Sequence, residues 1–235
     1  FRPSGAHELQ DYLVDVKEMS IAILAGGTDL IPRWNDGSGL WPDRLIDIKK
    51  INEFHGIRES KDSLIIGALS TIQEIKNSKL IQKHFGALSE AASQFAGVQI
   101  RHRATIGGNI CNASPAGDML PGLYAHHADI KVIGPNGPHS ISITDFIVGP
   151  GKTVLESNEI ISEIHLKKNG ESSCFYKLGL RQSMAIAVVN FAIAYTRNSN
   201  NAFTTMNIAA GSVAPTVVHL NHFADGIMNG TSIDE

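Results

Sequence analysis

Two pairs of adjacent glycines mark the places where this sequence could do chemistry. The first lies in Leu24-Ala25-Gly26-Gly27-Thr28-Asp29-Leu30, directly after the short apolar run Ile21-Ala22-Ile23. The second lies in Thr105-Ile106-Gly107-Gly108-Asn109 and reaches on to Asn112, Ser114 and Asp118. Glycine has no Cβ, so backbone N–H groups around such a pair can converge on an anion. Thr28, Asn109 and Ser114 add donors for phosphate or sugar oxygens, whereas an ionised Asp118 only accepts and suits hydroxyl groups. No Lys or Arg stands inside the first loop, so an anion there would be held mainly by neutral donors. A helix starting near Thr28 would aim further free N–H groups at the same spot. Two such loops, with Gly27 and Gly107 80 positions apart, fit a long ligand with a charged middle and a polyol section. A dinucleotide is the natural candidate. Each loop taken singly reads equally as an ordinary turn after a strand, and Asp118 as the cap of a short helix running to Tyr124.

Hydrophobic periodicity predicts the elements that must position these loops. Residues 7–16 put Leu9, Leu13 and Val16 on one helix face, with Ser4 as a candidate cap. Residues 21–25, 45–48 and 63–67 read as short strands, 71–75 as a helix, and 80–95 as one helix with Ile81, Phe85, Leu88, Ala92 and Phe95 along one side. Residues 105–121 form a Gly/Asn/Ser/Pro-rich loop, and loops of that length in compact domains are usually functional. Residues 129–133, 140–143 and 159–166 are strand-like. A boundary follows at 169–173, then a β-rich end at 175–180, 186–196 and 203–211. The fold class is α+β, in pieces at about 1–50, 51–168 and from 172 onward. Gly149-Pro150-Gly151-Lys152-Thr153 lacks the first glycine of a Walker loop, which would fall at Phe146, and reads as a turn. No GxGxxG follows a strand.

Composition narrows the classes further. Twenty Lys+Arg against 23 Asp+Glu leave a net charge of −3 over 235 residues, which gives no basic excess for a nucleic-acid partner. Glycine is frequent, at 22 residues, and charged residues make up only 18%. The longest apolar stretch, 185–195, is cut by Asn190 and falls well short of the ~20 residues of a bilayer helix. Charges at Arg2, His7, Glu8, Asp11, Asp15, Lys17 and Glu18 leave no apolar core for a signal peptide, so the expectation is a cytoplasmic chain with no membrane partner. Cys111 and Cys174 are too few for a disulfide framework or for the four thiolates of an iron–sulfur cluster. Cys111 reads as a small packing residue. No metal site is expected from His126-His127 or from His219 and His222, and Arg101, His102 and Arg103 read as a solvated or subunit-facing basic surface.

With both glycine loops in view, the sequence resembles the FAD-binding (medium) subunit of the molybdenum hydroxylases, the xanthine dehydrogenase and carbon monoxide dehydrogenase type, with its PCMH-type FAD-binding fold. The carrying signatures are the strand with AGGTDL at 23–30 and TIGGNICNASPAGDMLP at 105–121. Supporting matches are residues 95–101, 149–153, 159–161 and 175–178. The likeness leans toward the bacterial xanthine type.

The resemblance implies a PCMH-type FAD-binding domain over 1–168, in two α/β subdomains at about 1–50 and 51–168, and a truncated C-terminal α+β domain over 172–235. It implies that Ile23, Leu24, Ala25, Gly26, Gly27, Thr28, Asp29 and Leu30 wrap the FAD pyrophosphate. Thr105, Ile106, Gly107, Gly108 and Asn109 close on it from the neighbouring subdomain. Phe95 matches an aromatic beside the cofactor, and reads equally as a core residue. Asp118, Ile161 and Lys177 match further FAD contacts. No catalytic acid or base and no metal ligand is implied on this chain. The implied partners are a molybdopterin-binding large subunit and a [2Fe–2S] small subunit, with electrons passing from the clusters through FAD to NAD+ or another acceptor. The alternative is a free-standing PCMH-type flavin oxidase or reductase with its own substrate pocket; a third reading is an interaction module without flavin.

Burying a diphosphate without cations requires several charge-assisted N–H bonds, each contributing about 1.5–3 kcal/mol. Bulk in the loops should therefore hurt more than loss of any side chain. Gly26→Val and Gly107→Val are expected to abolish FAD retention, read as flavin absorbance after purification; a variant retaining full flavin contradicts this account.

Overall fold

The computed structural model describes residues 1–16, 19–181 and 184–229. Lys17, Glu18 and the end of the C-terminal piece (230–235) lie outside the described residues, as do 182 and 183.

The N-terminal piece is the helix Ala6–Asp15 over a parallel pair of strands, Ile21–Leu24 and Arg44–Asp47. Leu9 and Leu13 pack with Ile46, Ile48, Ile51 and Phe54, and this cluster extends to Leu69 and Ile160. Ser4 does not cap the helix. Gly5 holds that position, and Ser4 instead donates its N–H and hydroxyl to the Glu8 carboxylate.

The middle piece is a five-stranded antiparallel sheet in the order Ile57–Glu59, Ser63–Gly67, Ile160–Lys167, Asp129–Gly134, Gly137–Ser142. Alternation along these strands sends Leu64, Ile66, Ile130, Val132, Ile164 and Leu166 into the core. The last piece is a four-stranded antiparallel sheet, Ser172–Gly179, Ala187–Arg197, Phe203–Gly211 and Val218–His219, followed by the helix Asn221–Met228. Its Phe175, Ala192, Ala194 and Ala209 join the same hydrophobic cluster as the middle sheet. We infer a chain division between Lys167 and Ser172, where one sheet ends and the next begins.

Two expectations are corrected here. The helix expected over 80–95 is two helices, Lys79–His84 and Gly86–Gln94. The break is tertiary: the Gly86 backbone lies so close to Ser173 that a Cβ would stand 2.7 Å from its carbonyl oxygen, and Ala87 N–H donates to Ser173 Oγ. Residues 105–121 are not a loop but two helices, Ile106–Asn112 and Met119–Ala125, the first closed by Ala113 in the left-handed region at φ 46°. The chain turns at 149–151 between the short paired strands Ile147–Gly149 and Lys152–Thr153. Among the described residues no helix is long and apolar enough to cross a membrane.

Gly67 ends its strand against the 54–55 backbone, and a Cβ there would lie 2.3 Å from Phe54 O. Gly67→Ala is expected to cost about 3 kcal/mol. Gly137→Ala, in open space with only its φ of 96° against it, should cost about 1 kcal/mol. Urea unfolding of the two variants tests the order.

Candidate functional site

The first glycine loop leaves the carboxyl end of the parallel pair. Ile48 N–H donates to Leu24 O, the last ladder bond before the chain turns away. Gly27 takes φ +72°, and the turn closes through Ile31 N–H to Gly27 O and Arg33 N–H to Asp29 O into a helix, Leu30–Asn35, that begins at Leu30 rather than Thr28. Gly26 is required by a neighbour: its Cβ would lie 2.0 Å from Arg103 O, so the loop rests directly on the backbone that leads into the second glycine pair. The backbone N–H groups of residues 25–29 bond to no other group among the described residues. They border a cavity of about 380 Å³ whose wall includes Ile23 and residues 25–30.

The second pair works differently from the expectation. Ile106 N–H donates to Ser70 O, Gly107 N–H to Ala68 O, Gly108 N–H to Thr105 Oγ1 and Asn109 N–H to Thr105 O. The Thr105 hydroxyl caps this helix, and its first N–H groups are already used. Gly107 is small because the helix packs on residue 68: a Cβ would stand 2.9 Å from Ala68 O. What this segment offers the cavity is the wall formed by Thr105 and Gly108 and the Asn109 side chain, whose Oδ1 is buried without a partner. Ile106 is buried in the core.

A second cavity of about 270 Å³ shares Ile23, Ala25, Gly108 and Cys111 with the first, so the two are neighbours across that wall. Its other walls include Ile48, Leu69, Gly107, Leu155, Ile160 and Ile161, and the space is largely apolar. Cys111 is not the packing residue expected. It is exposed on the wall common to both cavities. Phe95 and Ala96 also line the first cavity, and Phe95 packs against the main hydrophobic core as well.

Asp118 and Lys177 are brought together, 2.7 Å apart and almost wholly buried. Asn190 Nδ2 donates to the other carboxylate oxygen at 3.3 Å, and Lys177 also reaches Gln94 O. Asp118 precedes the helix Met119–Ala125 without capping it through its side chain. Burial raises its carboxyl above the usual range, outweighing the opposing pull of Lys177 and Asn190. Lys177 lines a third cavity, with Gln94, Leu178 and Met184, that begins beside Phe95. Leu24 and Asp118 line none of the three cavities; Leu24 packs beneath Gly27.

Two residues of the site went unnoticed in the sequence. Arg33 lines the first cavity and spans the two glycine segments, with Nη2 2.9 Å from Asp29 Oδ2 and 2.8 Å from Asn112 Oδ1. Its i,i+4 spacing from Asp29 was the available signal. Asn190, wholly buried, has an unpartnered Oδ1 in room left by Gly211, whose Cβ would stand 2.3 Å away; a lone Asn in an apolar run carries no pattern that would reveal it.

Against known proteins, residues 1–167 match the model of the FAD binding domain in molybdopterin dehydrogenase. The chain is 35% identical over 226 residues to the nicotinate dehydrogenase FAD-subunit of Eubacterium barkeri, covering 93% of this chain and 75% of that protein. It is 34% identical over 204 residues to the xanthine dehydrogenase FAD-binding subunit of Escherichia coli O157:H7, covering 85% and 69%. Among solved structures, carbon monoxide dehydrogenase from Hydrogenophaga pseudoflava, in a form lacking the Mo-pyranopterin moiety of its cofactor, superposes with a TM-score of 0.86 at 31% identity, over 93% of this chain and 75% of that one.

The buried ion pair makes a direct prediction. Lys177→Met leaves the Asp118 carboxylate buried without its cation and should lower stability by about 3–5 kcal/mol. Asp118→Asn in the same background should recover part of that loss in urea unfolding.

Proposed function

Because the chain belongs to the family of FAD-binding domains of the molybdopterin dehydrogenases, we propose that its first cavity holds the diphosphate of FAD. It is a flavin subunit of oxidoreductases of the xanthine and carbon monoxide dehydrogenase kind. The observation that carries the site assignment is the row of N–H groups at residues 25–29 that no protein group engages, in the wall of one cavity with the unpartnered Asn109 Oδ1. Residues 25–28 are half-buried and Asp29 is exposed, so these N–H groups stand open to an acceptor such as a phosphate oxygen, whereas the buried Asn109 Oδ1 asks for a donor such as a sugar hydroxyl. Thr28 adds a hydroxyl, and Arg33 adds a positive charge at the rim. The neighbouring apolar slot beside Cys111, with Ile161 in its wall, suits one flat ring system of the dinucleotide. Phe95, in the wall of the first cavity, suits the other.

FAD supplies hydride and one-electron chemistry when bound. The chain's own part is to bind and orient it: donors for the diphosphate, walls for the rings, and the Asp118–Lys177 pair behind Phe95. Under the same proposal the partners are a molybdopterin-binding large subunit and a [2Fe–2S] small subunit, with NAD+ or another carrier as acceptor. Oxidation of the substrate then takes place on the large subunit.

Cys111 offers a direct reporter, because it lines both proposed FAD cavities. In a Cys174→Ser background it is the sole thiol. FAD at ten times its Kd leaves about one chain in eleven open, so maleimide labelling of Cys111 should slow about tenfold. Labelling that FAD leaves unchanged, with no flavin released on denaturing the purified protein, would sink the proposal.

A further inference from the structure

Arg101 was expected on a solvated basic surface, but its side chain is buried, with 8% of the residue exposed. No carboxylate lies within ion-pair distance of it among the described residues. A buried cation in that position must find other acceptors. It finds them in one turn: Nη1 donates to Phe95 O at 2.8 Å and to Ala96 O at 2.9 Å, while Nε donates to Gln73 Oε1 at 3.3 Å. These carbonyls follow the carboxyl end of the helix Gly86–Gln94, where the helix dipole favours a cation. Ala96 stands at φ +37°, a conformation that L residues with a Cβ avoid unless held. Both residues of the clamped turn, Phe95 and Ala96, line the first cavity, and so does Ile100, the residue before Arg101.

We propose that Arg101 is a positioning residue of the flavin site: by fixing the carbonyls of Phe95 and Ala96 it sets the left-handed turn that presents the Phe95 ring to the cofactor. The inference rests on the reading of the cavity as an FAD site. Nη1 serves both carbonyls while Nε serves Gln73, a spread over two nitrogens that the single nitrogen of an ammonium on a shorter stem does not reproduce. Arg101 itself need not touch the flavin.

The test uses the whole chain and FAD, with affinity read from quenching of flavin fluorescence and ring environment from visible circular dichroism of the bound flavin. Arg101→Met and Phe95→Leu should each weaken FAD about tenfold. They should alter the bound-flavin spectrum in the same sense, and the double variant should be no worse than Phe95→Leu alone. Ala96→Gly, which removes the penalty of the positive φ, should recover part of the loss in Arg101→Met. An Arg101→Met protein with wild-type affinity and spectrum overturns the proposal, as does a Phe95→Leu protein that changes neither. Should Arg101→Met fail to unfold cooperatively, Arg101→Lys is read in its place: an intermediate loss of affinity with the same spectral change supports the clamp, and wild-type behaviour overturns it. A wild-type chain that binds no FAD defeats the site assignment instead, and so the two failures are told apart.

Discussion

A run of backbone N–H groups that must stay free of protein partners organises this molecule around it. Residues 25–29 end a parallel strand pair, turn through Gly27 and enter a short helix without closing a hydrogen bond through their own amides. Left to itself, such a segment would fold its donors onto nearby carbonyls or expose them to water. The segment is held from one side, where Gly26 lies against the Arg103 carbonyl and leaves no room even for a methyl group. The N-terminal piece is thereby locked to the middle piece at the point where an anion would be received, with Arg33 bridging the same junction from Asp29 to Asn112.

The rest of the site follows from how the middle and last pieces brace that junction. The helix Ile106–Asn112 uses its first N–H groups on residues 68–70 and on its own Thr105 cap, so it serves as a rigid wall and contributes the Asn109 side chain. Two glycine pairs that look alike in sequence therefore do opposite things. One frees amides, and the other allows a helix to approach a neighbouring backbone. Farther along, Asp118, Lys177 and Asn190 form a buried polar cluster whose members come from the segment before a helix and from two strands of the last sheet. Burial of that cluster is tolerated because each charge has a partner, and it ties the last sheet to the turn that carries Phe95 through the Lys177 bond to Gln94 O.

Most strands were legible because their alternation is local. Ser63–Gly67 and Phe203–Gly211 fall where the pattern put them, the other expected strands shift by a residue or a few at their ends, and the short edge strands Ile57–Glu59 and Val218–His219 carried no pattern long enough to read. Helices were less so wherever a distant contact intervened. Ser173 splits the expected 80–95 helix at Phe85 and Gly86. Residues 105–121 contain the glycines and prolines of a loop, yet two helices form because Thr105 caps the first and the core buries Ile106, Ile110, Leu120 and Leu123. Cys111 and Arg101 exchange the places expected of them, the thiol facing a cavity and the guanidinium the interior.

Residue type and spacing alone determined that one glycine pair follows a short strand and that the class is α+β, and the motifs at 23–30 and 105–121 carry the resemblance to a flavin-binding family. Those properties reside in short stretches, where Cβ absence and hydrophobic period act within a few residues. Only the tertiary structure decided which amides remain free, which carbonyls Arg101 holds, and which carboxylate meets Lys177. The first and last of these depend on atoms far apart in the chain, as Arg33 from Asn112 at 79 positions and Lys177 from Asp118 at 59, and the Arg101 clamp draws in Gln73 from 28 positions away. A hydrogen bond responds to distance and direction in space, and no local pattern encodes either across such a span.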